Sequence, residues 1–181
     1  MTLTARSRRL VCLIGFMGSG KSTVAQFLAR QVGWQHADLD SRIIEATGLS
    51  IPEIFLRMGE PEFRRIEHDA LARVIGESIE QQKPRVISLG GGTTTQPQNV
   101  ALLRESGAVL IWLQCPVEKL LLRCAQVTDR PLFRDEASFR RLYQERLAFY
   151  ELADYKVDSN FKPQRVVEQI MALGVFPKVT A

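Results

Sequence analysis

Gly15-Phe-Met-Gly-Ser-Gly-Lys-Ser22 is the stretch of this 181-residue chain that decides the fold. It matches the pattern G-x-x-x-x-G-K-[ST], and it lies between the apolar run Leu10–Ile14 and residues 22–31, whose apolar positions have helical spacing. A strand, a glycine-rich turn and a helix in this order present backbone N–H groups and a helix N-terminus to an anion. The stretch therefore predicts a loop that binds nucleoside triphosphate, with Lys21 on the outer phosphates and Ser22 on Mg²⁺.

Segments typical of strands and helices alternate along the rest of the chain. Strands are predicted at 36–38, 86–89, 108–113 and 155–158. Helices are predicted at 40–47, 51–58, 61–82, 98–105, 116–126, 139–153 and 163–173, and a loop at 128–138. This alternation predicts one three-layer α/β domain with a mainly parallel sheet. In such sheets, ligands bind at the carboxyl ends of the strands.

Composition excludes several classes of protein. A hydrophobic fraction of 45% and a charged fraction of 24% argue against disorder, and no apolar run approaches the ~20 residues of a membrane helix. Three cysteines without a C-x-x-C pair argue against zinc and disulfide frameworks and favour a reduced, cytoplasmic setting. The net charge of +4 comes from eighteen arginines and six lysines (24 in all) against 20 acidic residues. This excess of arginine fits either nucleic acid or small anions.

The residues after the first strand exclude some classes of nucleotide-binding protein. The chain has no N-K-x-D element, which a GTPase needs, and its strand before position 90 ends in Ser88–Leu89 rather than in the aspartate of a motor ATPase. A kinase for a small acceptor remains. Asp38 and Asp40, one residue apart at a strand end, would then point to the same side, with one serving Mg²⁺ and the other an acceptor hydroxyl. The alternative for Asp38 is a helix cap.

Four further features bear on the site, and three of them have a second interpretation. Arg64 and Glu67 lie three residues apart on a helix, either as a surface pair or as an arginine fixed for a carboxylate ligand. Three glycines at 90–92 indicate a close approach of ligand to backbone N–H groups. Residues 128–134 are either a solvated loop or a lid that brings an arginine to the phosphoryl group. Arg146 is either a second carboxylate contact or a surface charge.

Taken together, these motifs resemble the shikimate kinase family. The joint pattern is the phosphate loop, D-x-D at 38–40, G-E-x-x-F-R-x-x-E at 59–67, G-G-G at 90–92 and R-P-L at 130–132, and the resemblance extends over about residues 10–170. It implies a P-loop kinase fold with a five-stranded parallel sheet in the order 2-3-1-4-5. It also implies a single domain over 1–181, with a substrate-binding region at about 39–67 and a lid at about 124–137.

The resemblance further implies an activity and roles for individual residues. The activity is ATP-dependent phosphorylation of the shikimate 3-hydroxyl with Mg²⁺, in the pathway to aromatic amino acids. ATP would be bound by Gly18, Ser19, Gly20, Lys21, Ser22, Thr23, Arg130, Lys162 and Pro163. Mg²⁺ would be held by Ser22 and Asp38. Shikimate would be bound by Asp40, Arg64, Gly90, Gly91, Gly92 and Arg146. The residues with a catalytic role would be Lys21, Asp40 and Arg130.

Three other functions would leave different marks in the sequence. A kinase for another small hydroxylated acid, such as gluconate, would share the phosphate loop. Such a kinase has no evident need for Phe63–Arg64 and the three glycines together. A catalytically inactive relative would have lost Lys21, Asp40 or Arg130, and all three are present. A nucleic-acid binder would need basic runs with interleaved aromatic residues, and the one basic run is 6–9. The sequence therefore predicts a monomer that acts on a small molecule and binds neither nucleic acid nor membrane.

Overall fold

The computed structural model describes residues 9–125 and 135–177, and a five-stranded sheet forms the centre of this part of the chain. Its strands are β1 Leu10–Ile14, β2 Gln35–Asp38, β3 Arg85–Ser88, β4 Val109–Gln114 and β5 Tyr155–Asp158. Every pairing in the sheet is parallel, and the order is β2-β3-β1-β4-β5. The predicted sheet and its strand order are therefore confirmed.

Helices cover both faces of the sheet. They are α1 Lys21–Val32, α2 Leu39–Thr47, α3 Ile51–Glu80, α4 Pro97–Glu105, α5 Val117–Ala125, α6 Glu136–Tyr150 and α7 Pro163–Ala172, with a 3₁₀ turn at Thr93–Thr95. Strand β1 is buried throughout, and its alternate residues face two different cores. Leu10, Cys12 and Ile14 pack with α2–α6, whereas Val11 and Leu13 pack with α1 and α7. This is the predicted three-layer α/β/α arrangement.

Helix α3 joins two segments that the sequence predicts as separate helices. Ser50 begins it with a capping box, in which its side chain accepts from the Glu53 N–H and Glu53 binds the Ser50 N–H in return. The backbone then leaves helical geometry at Gly59, at φ 80° and ψ 171°, two residues before Pro61. The predicted break is therefore a bend within one long element, and the helix continues to Glu80.

Smaller differences concern the ends of elements. Helix α6 begins at Glu136, three residues earlier than predicted, because the Asp135 side chain caps it by accepting from the Ser138 N–H at 2.8 Å. The predicted loop at 128–138 thus contains the first turn of a helix. Most of that loop, including Arg130, lies outside the described residues. Among the helices that the structure does describe, we find none with the length and apolar character needed to cross a membrane.

Candidate active site

The carboxyl ends of β1, β2 and β3 open into a cleft of about 610 Å³. A second, smaller cleft adjoins it at Gly18, Gly20 and Thr23. All the predicted site residues within the described ranges line one cleft or the other. The larger cleft contains Gly18, Gly20, Lys21, Ser22, Thr23, Asp38, Asp40, Arg64, Gly90, Gly91, Gly92 and Arg146. The smaller cleft adds Ser19, Lys162 and Pro163.

The phosphate loop lies where the two clefts meet, and its residues line both of them. It leaves β1 at Gly15 and enters α1 at Lys21, with Gly18 and Gly20 at φ values of 80° and 89°. The Lys21 ammonium donates to the Phe16 carbonyl at 3.0 Å, so the side chain curls back over the loop. The Ser19 hydroxyl is buried with no partner among the described residues. A loop of backbone N–H groups beside a helix N-terminus, with this lysine above it, suits a phosphate chain.

Asp38 is fixed by three hydroxyl or amide groups. Its carboxylate accepts from the Ser22 hydroxyl and the Ser88 hydroxyl, each at 2.6 Å, and from the Ser41 N–H at 3.1 Å. Burial raises the pKa of Asp38, but these hydrogen bonds together outweigh burial, and the pKa lies below its usual value. The side chain is therefore ionised at neutral pH and could offer its oxygens to a cation.

The geometry corrects one argument about the two aspartates. Asp38 ends β2 and is also the N-cap of α2, so the cap interpretation is confirmed, and it does not exclude a role for Asp38 in the cleft. Asp40 lies in the first turn of α2 and not on a strand, so the argument from strand alternation was wrong. The helical turn nevertheless brings Asp40 into the larger cleft, where its carboxylate lies beside Gly90.

The oxygen donors present fit Mg²⁺ better than a transition metal. The Ser22 hydroxyl and the Asp38 carboxylate share a hydrogen bond beside the phosphate loop. No group of three or more His, Cys, Asp or Glu side chains that could hold a metal occurs within residues 9–125 and 135–177. Mg²⁺ typically takes one or two protein oxygens and completes its shell with water and substrate phosphates. The pair Ser22 and Asp38 meets that requirement.

Arg64 is held by two glutamates at the wall of the larger cleft. Its guanidinium donates to Glu60 at 3.0 and 3.2 Å and to Glu67 at 2.9 Å. Glu67 is 1% exposed and also accepts from the Thr93 hydroxyl at 2.7 Å. The buried ring of Phe63 lies 5.1 Å from the guanidinium carbon of Arg64. The surface-pair interpretation is therefore wrong, because this arginine is anchored to a buried carboxylate.

The second arginine of the cleft is Arg146 on α6. It is 7% exposed, so the interpretation as a surface charge is also wrong. Its guanidinium carbon lies 5.7 Å from the ring of Phe16, which itself packs edge-on against Phe139 and Tyr143. Phe16, which belongs to the phosphate loop, thus packs against the side chain of Arg146, and Arg146 lines the larger cleft.

The three glycines at 90–92 allow both arginines to approach the backbone. A Cβ atom at Gly92 would lie 2.8 Å from Arg64 Nη2 and 3.2 Å from Arg146 Nη2. At Gly91 it would lie 3.2 Å from Arg146 Nη1. Since both guanidinium groups are held by other contacts, a side chain at Gly92 would displace them. The arrangement places two positive groups side by side over bare backbone, which suits a carboxylate.

Sequence reasoning missed several residues of the site. Arg123 on α5 lines both clefts and donates to the carbonyls of Gly18 at 3.2 Å and Ser159 at 3.1 Å. Ser88 binds Asp38, and its one signal in the sequence is a hydroxyl at the end of an apolar run. Ile51 and Phe55 form an apolar wall of the larger cleft. Arg130, predicted to act from the lid, lies outside the described residues.

Comparison with known proteins agrees with this geometry. A family model described as "Shikimate kinase" matches residues 17–173. A shikimate kinase of Geobacter metallireducens is 41% identical over 94% of this chain and 93% of its own length, and one of Moorella thermoacetica is 40% identical over 87% and 88%. The solved structure of a shikimate kinase from Acinetobacter baumannii in complex with shikimate is similar, with a TM-score of 0.84 and 32% identity over 96% of this chain and 97% of that one. The chain belongs to the shikimate kinase family.

Proposed function

We propose that this enzyme transfers the γ-phosphoryl group of ATP to the 3-hydroxyl of shikimate, with Mg²⁺, in the pathway to aromatic amino acids. The observation that carries the proposal is the pairing of Arg64 and Arg146 over Gly91 and Gly92, in the same cleft as Asp40 and the phosphate loop. Shikimate has one carboxylate and three hydroxyls. A cleft with two guanidinium groups at one side and a carboxylate beside a phosphate loop matches both kinds of group.

The acceptor is bound by charge at one end and by hydrogen bonds at the other. Arg64 and Arg146 bind the carboxylate of shikimate, and the fixed fork of Arg64 favours one orientation of the ring. Asp40 accepts a hydrogen bond from the hydroxyl that reacts and takes its proton as the new bond to phosphorus forms. The apolar wall at Ile51 and Phe55 excludes water from the ring face.

The phosphate donor is bound by the loop and its neighbours. Backbone N–H groups at 18–23 and the Lys21 ammonium hold the phosphates of ATP, and Lys162 and Pro163 lie on the side of the base. Ser22 and Asp38 would hold Mg²⁺, which when bound neutralises charge on the β- and γ-phosphates. We assign Arg130 to the transferring phosphoryl group on the resemblance alone. Catalysis then rests on positioning and on charge stabilisation.

A coupled assay of ADP release tests the proposal. Purified protein is supplied with ATP and Mg²⁺, and separately with shikimate, gluconate or a panel of nucleoside monophosphates, with a sample lacking acceptor as the background. We expect ADP release above that background with shikimate as the acceptor, and none above it with gluconate or the nucleoside monophosphates. Release that depends on gluconate and not on shikimate would overturn the assignment of the acceptor.

We also propose that the enzyme works as a cytoplasmic monomer and binds neither nucleic acid nor membrane. The cysteines Cys12, Cys115 and Cys124 are all free and buried, which suits a reducing compartment. The arginines of the larger cleft are engaged with its own groups rather than arranged as a continuous basic surface. Sedimentation analysis at micromolar concentration checks the monomer, and a species of twice the 20.5 kDa chain mass would contradict it.

A further inference from the structure

Tyr150 is a buried residue beside the site that the proposed chemistry does not use. It ends α6, is 1% exposed, and packs against Trp112 at a ring-centroid distance of 5.8 Å. Its hydroxyl donates to the Gly91 carbonyl at 2.7 Å. Burial raises the pKa of this hydroxyl far above its usual range, an effect larger than the opposing influence of Arg146. The Tyr150 hydroxyl is therefore neutral near neutral pH and can donate a hydrogen bond.

The carbonyls of the glycine turn are all held by groups of the protein. The Gly90 carbonyl accepts from the Thr93 N–H at 3.1 Å, and the Gly92 carbonyl accepts from the Thr95 N–H at 3.1 Å and the Thr95 hydroxyl at 2.7 Å. All three of those bonds are local to the turn. The bond to Gly91 is different, because its donor comes from a helix 59 residues further along the chain.

The planarity of the peptide links this carbonyl to the next amide. In a trans peptide the C=O of one residue and the N–H of the next point in opposite directions. Gly91 and Gly92 line the larger cleft, whereas Tyr150 lies in the core behind them and is not part of the cleft wall. A bond that draws the Gly91 carbonyl toward Tyr150 therefore directs the Gly92 N–H toward the cleft.

We propose that Tyr150 is a positioning residue for the acceptor: its hydroxyl fixes the Gly91–Gly92 peptide so that the Gly92 N–H donates to bound shikimate. Without the hydroxyl the peptide is free to rotate, since glycine on both sides opposes rotation very little. The inference rests on the proposed function for the identity of the acceptor. Tyr150 does not touch the reacting atoms. Its hydroxyl also has a hydrogen bond with the Arg146 side chain, so the Gly92 amide must be followed directly in addition to the KM for shikimate.

The test compares Tyr150→Phe with Tyr143→Phe. Phenylalanine keeps the ring and its packing and removes one hydroxyl in each case. Tyr143 lies on the same helix, and its hydroxyl makes a longer bond of 3.4 Å to the Cys115 carbonyl, away from the glycine turn. We expect Tyr150→Phe to raise the KM for shikimate about tenfold, as loss of one hydrogen bond allows, with the KM for ATP unchanged. We expect Tyr143→Phe to leave both KM values as in the wild type.

A second measurement uses the wild-type protein and needs no variant. The amide resonance of Gly92 in ¹⁵N-labelled protein should shift when shikimate is added, and we expect the shift to be much smaller in Tyr150→Phe. An unmoved Gly92 amide in the wild type, or equal KM values in the two variants, would overturn the inference. If the wild type and Tyr143→Phe both fail to phosphorylate shikimate, the proposed function fails instead, and the two failures are thereby distinguished.

Discussion

Two adjacent arginines on α3 show how burial separates a residue of the cleft from a surface charge. The Arg64 side chain is 13% exposed and bound to the buried Glu67, whereas the Arg65 side chain is 61% exposed and pairs with Glu62 and Asp69. The ion pairs of both arginines have helical spacing and similar N···O distances. The difference lies in what surrounds them, because Arg64 faces the cleft and Arg65 faces solvent.

We predict that Arg64→Ala raises the KM for shikimate and leaves the KM for ATP nearly unchanged. Loss of a charge-assisted bond to a carboxylate corresponds to about a tenfold to hundredfold rise. Arg65→Ala is the matched control and should leave both KM values within about twofold, since an exposed ion pair contributes little. Steady-state kinetics with each substrate varied in turn makes the measurement. An unchanged shikimate KM in Arg64→Ala would remove this residue from the carboxylate site.

At the scale of elements, the bend in α3 shapes one wall of the larger cleft. The first part of the helix carries Ile51 and Phe55, and the second carries Phe63 and Arg64. The rings of Phe55 and Phe63 meet across the bend with their centroids 4.4 Å apart. The φ and ψ of Gly59 lie in a region that other residues almost never adopt. The direction of the first part of α3 therefore depends on this glycine.

We predict opposite effects for two glycine-to-alanine changes on this helix. Gly59→Ala should lower the free energy of unfolding by about 1–3 kcal/mol, because alanine is strained at this φ and ψ. Gly76→Ala should raise it by about 0.5–1 kcal/mol, because Gly76 has helical geometry and open space where its Cβ would lie. Urea denaturation measures both. We also expect Gly59→Ala to raise the KM for shikimate, and the same sign of stability change in both variants would contradict the account of the bend.

At the scale of the molecule, a cluster of charged groups joins helices α2 and α3 to the amino end of strand β3. This is the end of the strand away from the cleft. Arg85 begins β3 with a side chain that is 5% exposed, and it donates to Glu77 at 3.0 Å and to the Gln35 side chain at 2.7 Å. Glu77 on α3 also pairs with Arg42 on α2. One carboxylate thus links α2, α3 and β3, and it balances a buried guanidinium.

We predict that Glu77→Gln lowers the free energy of unfolding by about 3 kcal/mol. Glutamine has the same shape, but it leaves the buried Arg85 without a countercharge. Glu62→Gln, an exposed position on the same helix, is the control and should show no measurable change. Urea denaturation with an unchanged m-value is the measurement. Equal stability of the two variants would show that the cluster does not contribute to holding these elements together.

The sequence predicts those parts of the site that follow from local pattern. The phosphate loop is contiguous, so its motif predicts both structure and ligand. The predicted helix start at residue 51 is confirmed as well, because Ser50 and Glu53 form a local capping box there. The anchoring of Arg64 and the burial of Arg146 remained open between two interpretations, because spacing along one helix does not say what lies opposite. Arg123 binds a carbonyl 105 residues away and Ser88 a carboxylate 50 residues away. Such contacts depend on the packed fold and have no local signal.

The residues that we assign to the two substrates are distributed differently along the chain, and this has a consequence for protein engineering. The phosphate loop occupies consecutive residues between β1 and α1, whereas the residues that we assign to the acceptor come from α2, α3, the turn after β3, and α6. The phosphate loop can be transplanted as a single segment, although Asp38, Lys162 and Pro163 of the proposed donor site lie elsewhere in the chain. The proposed acceptor site cannot, because no fragment shorter than residues 40–146 contains Asp40, Arg64, the glycine turn and Arg146 together. Selectivity for the acceptor can accordingly be redesigned at four separate elements while the phosphate loop stays intact.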